Sequence, residues 1–308
     1  MVCMVEDDRT DSEADDDARF QLAGEAARRI VRRCSAHARI TNKALPRYTG
    51  EPAASSPFAI DRASALAGKH PAAFAQTAKQ VEVLSNAMTS HLSGLHVLIQ
   101  HETFHGLPAV VIARSIAEAA ASCAWILHPG VSSDQRAARA YAVMFHSLKN
   151  SASQVLPEDA EYAIKMREAL VDELAGSGVT VTRREKRGKR TDDIAQVTVG
   201  DAHVKTEYVI SQRIANEIPK LRGTYGGMSS VAHGEALNVS NVWTRPDLYA
   251  RIIGRVAHES VTAWSQALHG WLALEPSPIG NEDDLQRLRQ SMHPDTIAAI
   301  KARSEQTA

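Results

Sequence analysis

The segment HETFH, residues 101–105, has the spacing of a zinc motif with catalytic chemistry. On a helix, His101 and His105 lie one turn apart on the same face and can both bind Zn²⁺. Glu102 between them can deprotonate a water molecule bound to the metal. Glu118 is the candidate third ligand, and the motif then predicts a zinc-dependent hydrolase. The alternative is that these histidines have only structural roles.

Two charged residues, Arg114 and Glu118, lie one helical turn apart in the nearly apolar segment 107–127. A helix that is apolar on every side is buried by its neighbours, so these charges must face each other, another helix or a ligand. The order Arg before Glu is the less favourable one for an exposed intrahelical pair. We therefore expect Arg136 or Arg139 of the following helix to reach Glu118. The alternative is a structural ion pair within the helix.

The glycine-rich segment 222–234 predicts a helix with a polar face. If a helix begins near Tyr225, then Tyr225, Ser229 and His233 lie one turn apart on one face. This face can form a polar site with the charged pair of the apolar helix. The alternatives are a hydrogen-bonded core histidine and a Ser-His nucleophile. The glycine spacing fits neither a dinucleotide fingerprint nor a P-loop, which argues against nucleotide binding.

The resulting candidate site contains seven polar residues on three predicted helices. Four of them form a polar core and are the candidate catalytic residues: Arg114, Glu118, Arg139 and His233. The other three are candidate binding residues: Arg136, Tyr225 and Ser229. The combination resembles a group of uncharacterised bacterial all-α proteins that is remotely similar to HEPN domains. The resemblance covers roughly residues 81–272. It implies a helical bundle, often dimeric, in systems linked to defence or RNA cleavage. RNA is therefore a candidate partner, together with a second copy of this chain.

Helical periodicity dominates the chain and predicts a mainly α-helical fold. We expect an acidic, disordered tail over residues 1–18, because this segment is charged and poor in apolar residues. A helical-bundle domain should cover 19–275, and a peripheral helix should occupy 276–308. Residues 179–204 alternate with period two around a charged centre, which predicts an inserted β-hairpin with a basic tip at Arg183–Arg190.

Two further predictions concern the first two helices of the chain. Asp61 is predicted as the N-cap of a short helix. The helix from Phe20 to Ile40 should have a basic face, which is either a solvated surface, a partner for the acidic tail or a contact for nucleic acid. That face contains five arginines: Arg28, Arg29, Arg32, Arg33 and Arg39.

The amino-acid composition argues against several classes of protein. The 308 residues contain 35 Lys+Arg and 36 Asp+Glu, so a formal net charge of -1 gives no global attraction to nucleic acid or membrane. Three distant cysteines argue against a disulfide framework or a thiolate zinc site. The acidic start is unlike a secretory signal, and Arg114 and Glu118 make the apolar helix a poor membrane span.

We therefore expect a cytoplasmic protein that self-associates and requires no cofactor, with zinc only under the hydrolase hypothesis. Three functions stay open: a HEPN-like protein acting on or near RNA in a defence or stress role, a zinc hydrolase, and a non-catalytic binding or scaffold protein. None of the motifs establishes whether the protein is an enzyme.

Overall fold

The computed structural model describes residues 9–44, 53–66, 71–100, 105–154, 157–186 and 189–291. In these ranges it is mainly α-helical with one small sheet, as predicted. The elements, in chain order, are α1 (Arg9–Ala44), α2 (Pro57–Leu66), α3 (Pro71–Gln100), α4 (Gly106–Ile126), α5 (Ser133–Gln154), α6 (Pro157–Glu173), β1 (Val179–Lys186), β2 (Lys189–Val199), β3 (Ala202–Lys205), α7 (Ile210–Glu217), a 3₁₀ turn (Pro219–Leu221), α8 (Thr224–Ala232), α9 (Ala236–Thr244), α10 (Pro246–Leu272) and α11 (Glu282–Gln290).

Helix α4 is the central element and packs against α3, α10, α8, α7 and α5. Its buried face is rich in alanine, including Ala113, Ala117 and Ala120, and small side chains let neighbouring helices approach closely. Within the described residues, α4 is also the helix whose length and composition would allow it to cross a membrane. Its apolar window is 67% buried inside the protein. The helix is therefore part of the main hydrophobic core.

Helix α1 packs along α10 at a close approach that requires glycine. A Cβ added at Gly254 would lie 3.0 Å from Leu288 Cδ1 and 3.3 Å from the backbone of Ala27. Helix α1 begins at Arg9, inside the segment predicted to be a disordered tail, and residues 1–8 lie outside the described residues.

Helix α11 is more firmly attached than the predicted peripheral helix. Asp284 and Leu288 are 2% and 5% exposed. Arg29 Nε and Arg33 Nη1 of α1 donate to the Asp284 carboxylate at 2.7 and 2.9 Å. The remainder of the predicted C-terminal helix, residues 292–308, lies outside the described residues.

The predicted β-hairpin is confirmed and is extended by a third strand. The antiparallel order is β1-β2-β3, with Val181 opposite Val197 and Val197 opposite Val204. Valines of the sheet form a second core with Tyr141 and Phe145 of α5. The sheet therefore rests on the bundle through its own apolar face.

The basic tip of the hairpin is partly neutralised by nearby carboxylates. Arg183 pairs with Glu168 of α6, and Arg184 Nη2 lies 2.6 Å from a carboxylate oxygen of Glu207. Residues 187 and 188 lie outside the described residues. At least these two arginines of the tip therefore bind the protein's own acids.

Candidate functional site

Helices α4 and α8 bring three of the predicted site residues together. Arg114 Nε donates to Glu118 Oε1 at 2.7 Å and to the Tyr225 hydroxyl oxygen at 3.2 Å. The Tyr225 hydroxyl donates to the same Glu118 Oε1 at 2.6 Å. The Arg114 guanidinium carbon also lies 5.4 Å from the centre of the Tyr225 ring, a cation–π contact. We call this group the α4–α8 triad.

The α4–α8 triad is anchored by a buried tyrosine but open on its charged side. Tyr225 is 5% exposed, whereas the side chains of Arg114 and Glu118 are 21% and 33% exposed. Burial, reinforced by the bond to Glu118, raises the pKa of Tyr225 to about 12. Burial lowers the pKa of Arg114, but Glu118 and Tyr225 together outweigh burial and the net shift of the pKa is upward. Both groups therefore keep their protons at neutral pH, so the triad is suited to binding rather than to proton transfer.

Ser229 and His233 do not complete this site. Ser229 is half-buried one turn after Tyr225, and His233 is exposed at the end of α8. The His233 backbone N–H donates to the Ser229 carbonyl at 3.0 Å. Among the described residues, neither side chain hydrogen-bonds to the triad. The helix ends before His233, so the expected third turn of a continuous polar face is missing.

The prediction that Arg136 contacts Glu118 is wrong. Arg136 binds Asp61 of α2 with two bonds, Nε to Oδ2 at 2.7 Å and Nη2 to Oδ1 at 2.6 Å. Trp271 Nε1 donates to Asp61 Oδ2 at 2.9 Å, and the Ser133 hydroxyl donates to Oδ1. Arg136 and Asp61 are 4% and 5% exposed, so the carboxylate joins α2, α5 and α10 in the interior. We call this group the Asp61 cluster.

Sequence reasoning missed the role of Asp61. Helix α2 begins earlier than predicted, at Pro57, and the Ser56 hydroxyl accepts a bond from the Ala59 N–H at 3.1 Å. Asp61 is therefore inside the helix rather than at its cap. The available signal was the pair Ser56-Pro57, which combines a favoured capping residue with proline at the first helical position.

The prediction that Arg139 contacts Glu118 is also wrong. Arg139 Nη1 donates to the carbonyl of Trp125, and its guanidinium carbon lies 4.8 Å from the centre of the Trp125 ring. Arg213 lies 4.0 Å from the same ring and 3.3 Å from that of Tyr208. Burial, more than the nearby charges, lowers the pKa of Arg213 to about 10. The aromatic rings thus position both arginines. Arg139 was expected to contact Glu118, and Arg213 was not among the predicted site residues.

No family model matches this chain, and no curated protein or solved structure is significantly similar to it.

Of the five residues of the zinc motif, the structure describes His105. Helix α3 ends at Gln100, and His105 is the non-helical residue before α4, with φ −82° and ψ 72°. His101 and Glu102 lie outside the described residues. The prediction that His101 and His105 share a helix face therefore falls largely outside the described residues and stays a prediction. Among residues that the structure does describe, no three His, Cys, Asp or Glu side chains are grouped as a metal site.

The five arginines of the α1 basic face divide into two sets. Arg29 and Arg33 bind Asp284, as described above. The other three make no ion pair with any residue that the structure describes, and we call them the arginine stripe: Arg28, Arg32 and Arg39. Arg28 and Arg32 line a groove of about 440 Å³, open solvent included, together with Glu25 and Arg29 of α1 and Gln100 of α3. Burial, followed by the charges of Arg39 and Arg32, lowers the pKa of His96 beside the stripe.

Proposed function

We propose that this chain is a HEPN-like helical-bundle protein that binds RNA through the arginine stripe, in a defence or stress role. The uncompensated arginines of α1 are the observation that carries the proposal. Two neighbouring arginines bind Asp284, whereas Arg28, Arg32 and Arg39 make no ion pair with a carboxylate in the part of the chain that the structure describes. The near-neutral net charge also makes a local cluster, rather than a global field, the source of attraction for phosphate.

The geometry of the stripe supports binding to a nucleic-acid backbone. Residues 28, 32 and 39 share one helix face, and they span about 17 Å along the axis at 1.5 Å per residue. A strand of RNA presents several phosphates over that length. The lowered pKa of His96 leaves its ring neutral near physiological pH, so it can donate one hydrogen bond but adds no positive charge beside the phosphates.

The proposal concerns binding rather than cleavage. Tyr225 and Arg114 keep their protons at neutral pH, and Glu118 already accepts two hydrogen bonds. A cytoplasmic location and self-association remain part of the proposal, on the grounds of composition and of the resemblance to HEPN-like proteins. The α4–α8 triad is then a candidate contact for a partner.

The test is the salt dependence of RNA binding by the full chain. Fluorescence anisotropy with a labelled single-stranded RNA should show that Arg32→Gln/Arg39→Gln weakens binding about tenfold. Its slope of log affinity against log salt should be smaller by about 1.4, since each lost phosphate contact removes about 0.7. The control Arg62→Gln/Arg222→Gln changes two other exposed arginines and should keep the wild-type slope. Equal slopes for both variants would contradict the proposal.

A further inference from the structure

A second cleft lies between α10, α11 and the 3₁₀ turn, and it shares no lining residue with the arginine groove. Its cavity volume is about 330 Å³. The floor is aliphatic and consists of Leu248, Ile252, Leu285 and Leu288. Leu288 is buried, whereas the other three side chains are half-buried. Apolar surface that stays open in a concave site of this size is typical of a ligand pocket.

Four cations surround this floor, and two of them lack an acidic partner among the described residues. Lys220 Nζ lies 3.1 Å from Glu259, and Arg251 Nη2 lies 2.8 Å from Asp247. Arg255 Nη2 donates only to the backbone carbonyl of Lys220, at 2.9 Å. Arg289, on α11, makes no ion pair within the described part of the chain. The rim, which also includes Glu259, therefore has two positive charges without an acidic partner among the described residues, above an aliphatic floor.

We propose that this cleft binds a single-chain aliphatic carboxylate. The chain lies along the face of α10 from Leu248 to Glu259, a length of about 17 Å. The carboxylate contacts Arg255 and Arg289, since a guanidinium matches the geometry of a carboxylate. None of the described lining residues is aromatic, so the cleft offers no ring on which a nucleobase could stack. This site is independent of RNA binding at the arginine stripe.

Isothermal titration calorimetry of the full chain tests the proposal, with dodecanoate below its micellar concentration as the probe. We expect saturable binding at one site per chain. Dodecanol, which lacks the charge, and acetate, which lacks the chain, should each bind at least about tenfold more weakly. No saturable dodecanoate binding, or equal affinity for dodecanol, would overturn the proposal.

Variants at the rim and at the floor locate the binding site. Arg255→Gln/Arg289→Gln should weaken dodecanoate binding about tenfold, whereas Arg62→Gln/Arg222→Gln should bind like wild type. Both pairs contain only exposed arginines, so the folded structure should persist, which circular dichroism checks. Ile252→Gln should weaken dodecanoate binding and leave acetate binding unchanged. Wild-type affinity in the Arg255/Arg289 variant would place the ligand elsewhere and refute the assignment.

Discussion

The Asp61 cluster and the α4–α8 triad use the same chemistry in two different environments. Each joins an arginine to a carboxylate and adds an aromatic donor, Trp271 in one and Tyr225 in the other. The Asp61 cluster is almost fully buried and connects three helices that are distant in sequence. The triad has its ion pair on one helix, with side chains 21% and 33% exposed, and only the tyrosine comes from elsewhere.

The difference indicates which of the two ion pairs maintains the fold. A charge in the interior has lost its water, so it depends on its ion-pair partner and on its hydrogen bonds for stabilisation. A charge at the surface can return to water when its partner is removed, and its pair adds little to stability. We therefore assign the Asp61 cluster to structure and leave the triad available for binding.

The largest effect should follow from Asp61→Asn. This change leaves the buried Arg136 guanidinium without a counter-charge, which costs about 3–5 kcal/mol of unfolding free energy. Urea denaturation followed by circular dichroism measures the loss. The double variant Asp61→Leu/Arg136→Met removes both charges and should recover part of it. A loss below about 1 kcal/mol in the single variant would remove the distinction between the two clusters.

The α4–α8 triad was predictable in part, because charges in an apolar helix require partners and Arg114, Glu118 and Tyr225 do meet. The partner of Arg136 was not predictable in the same way. Helical spacing relates residues on one element, whereas the contact between Asp61 and Arg136 depends on how α2 and α5 pack, over a separation of 75 residues. Period-two alternation identified the hairpin but not β3, since four residues are too few to show a period.

An intermediate effect should appear in the pH dependence of stability at Tyr225. Its pKa rises from 10.0, the ordinary value, to about 12 on folding. The folded state therefore retains a proton that the unfolded state releases above pH 10, and this contribution to stability is lost as pH rises from 10 through 12. Over this pH range, the free energy of unfolding should decline by about 1–2 kcal/mol less in Tyr225→Phe than in wild type.

Urea denaturation at pH 8, 10 and 11.5 measures this difference. Tyr141 has a pKa that burial, more than Glu173, raises to about 12, so it contributes to the decline in both proteins and cancels in the comparison. Parallel stability curves for wild type and Tyr225→Phe would mean that the triad does not hold the tyrosine proton.

The smallest effect should be the coupling within the exposed ion pair of the triad. In a double-mutant cycle of Arg114→Gln and Glu118→Gln, the interaction free energy should be about 0.3–0.5 kcal/mol, as for other pairs one turn apart on a helix. It should fall further in 1 M salt, because solvent-exposed charges are screened. The corresponding cycle for Asp61→Asn and Arg136→Met should give a several-fold larger value that salt changes little, because that pair is buried. A coupling at Arg114–Glu118 as large as that of the buried pair would make the triad a structural clamp of α4 and α8, and binding at this surface would then lose its physical basis.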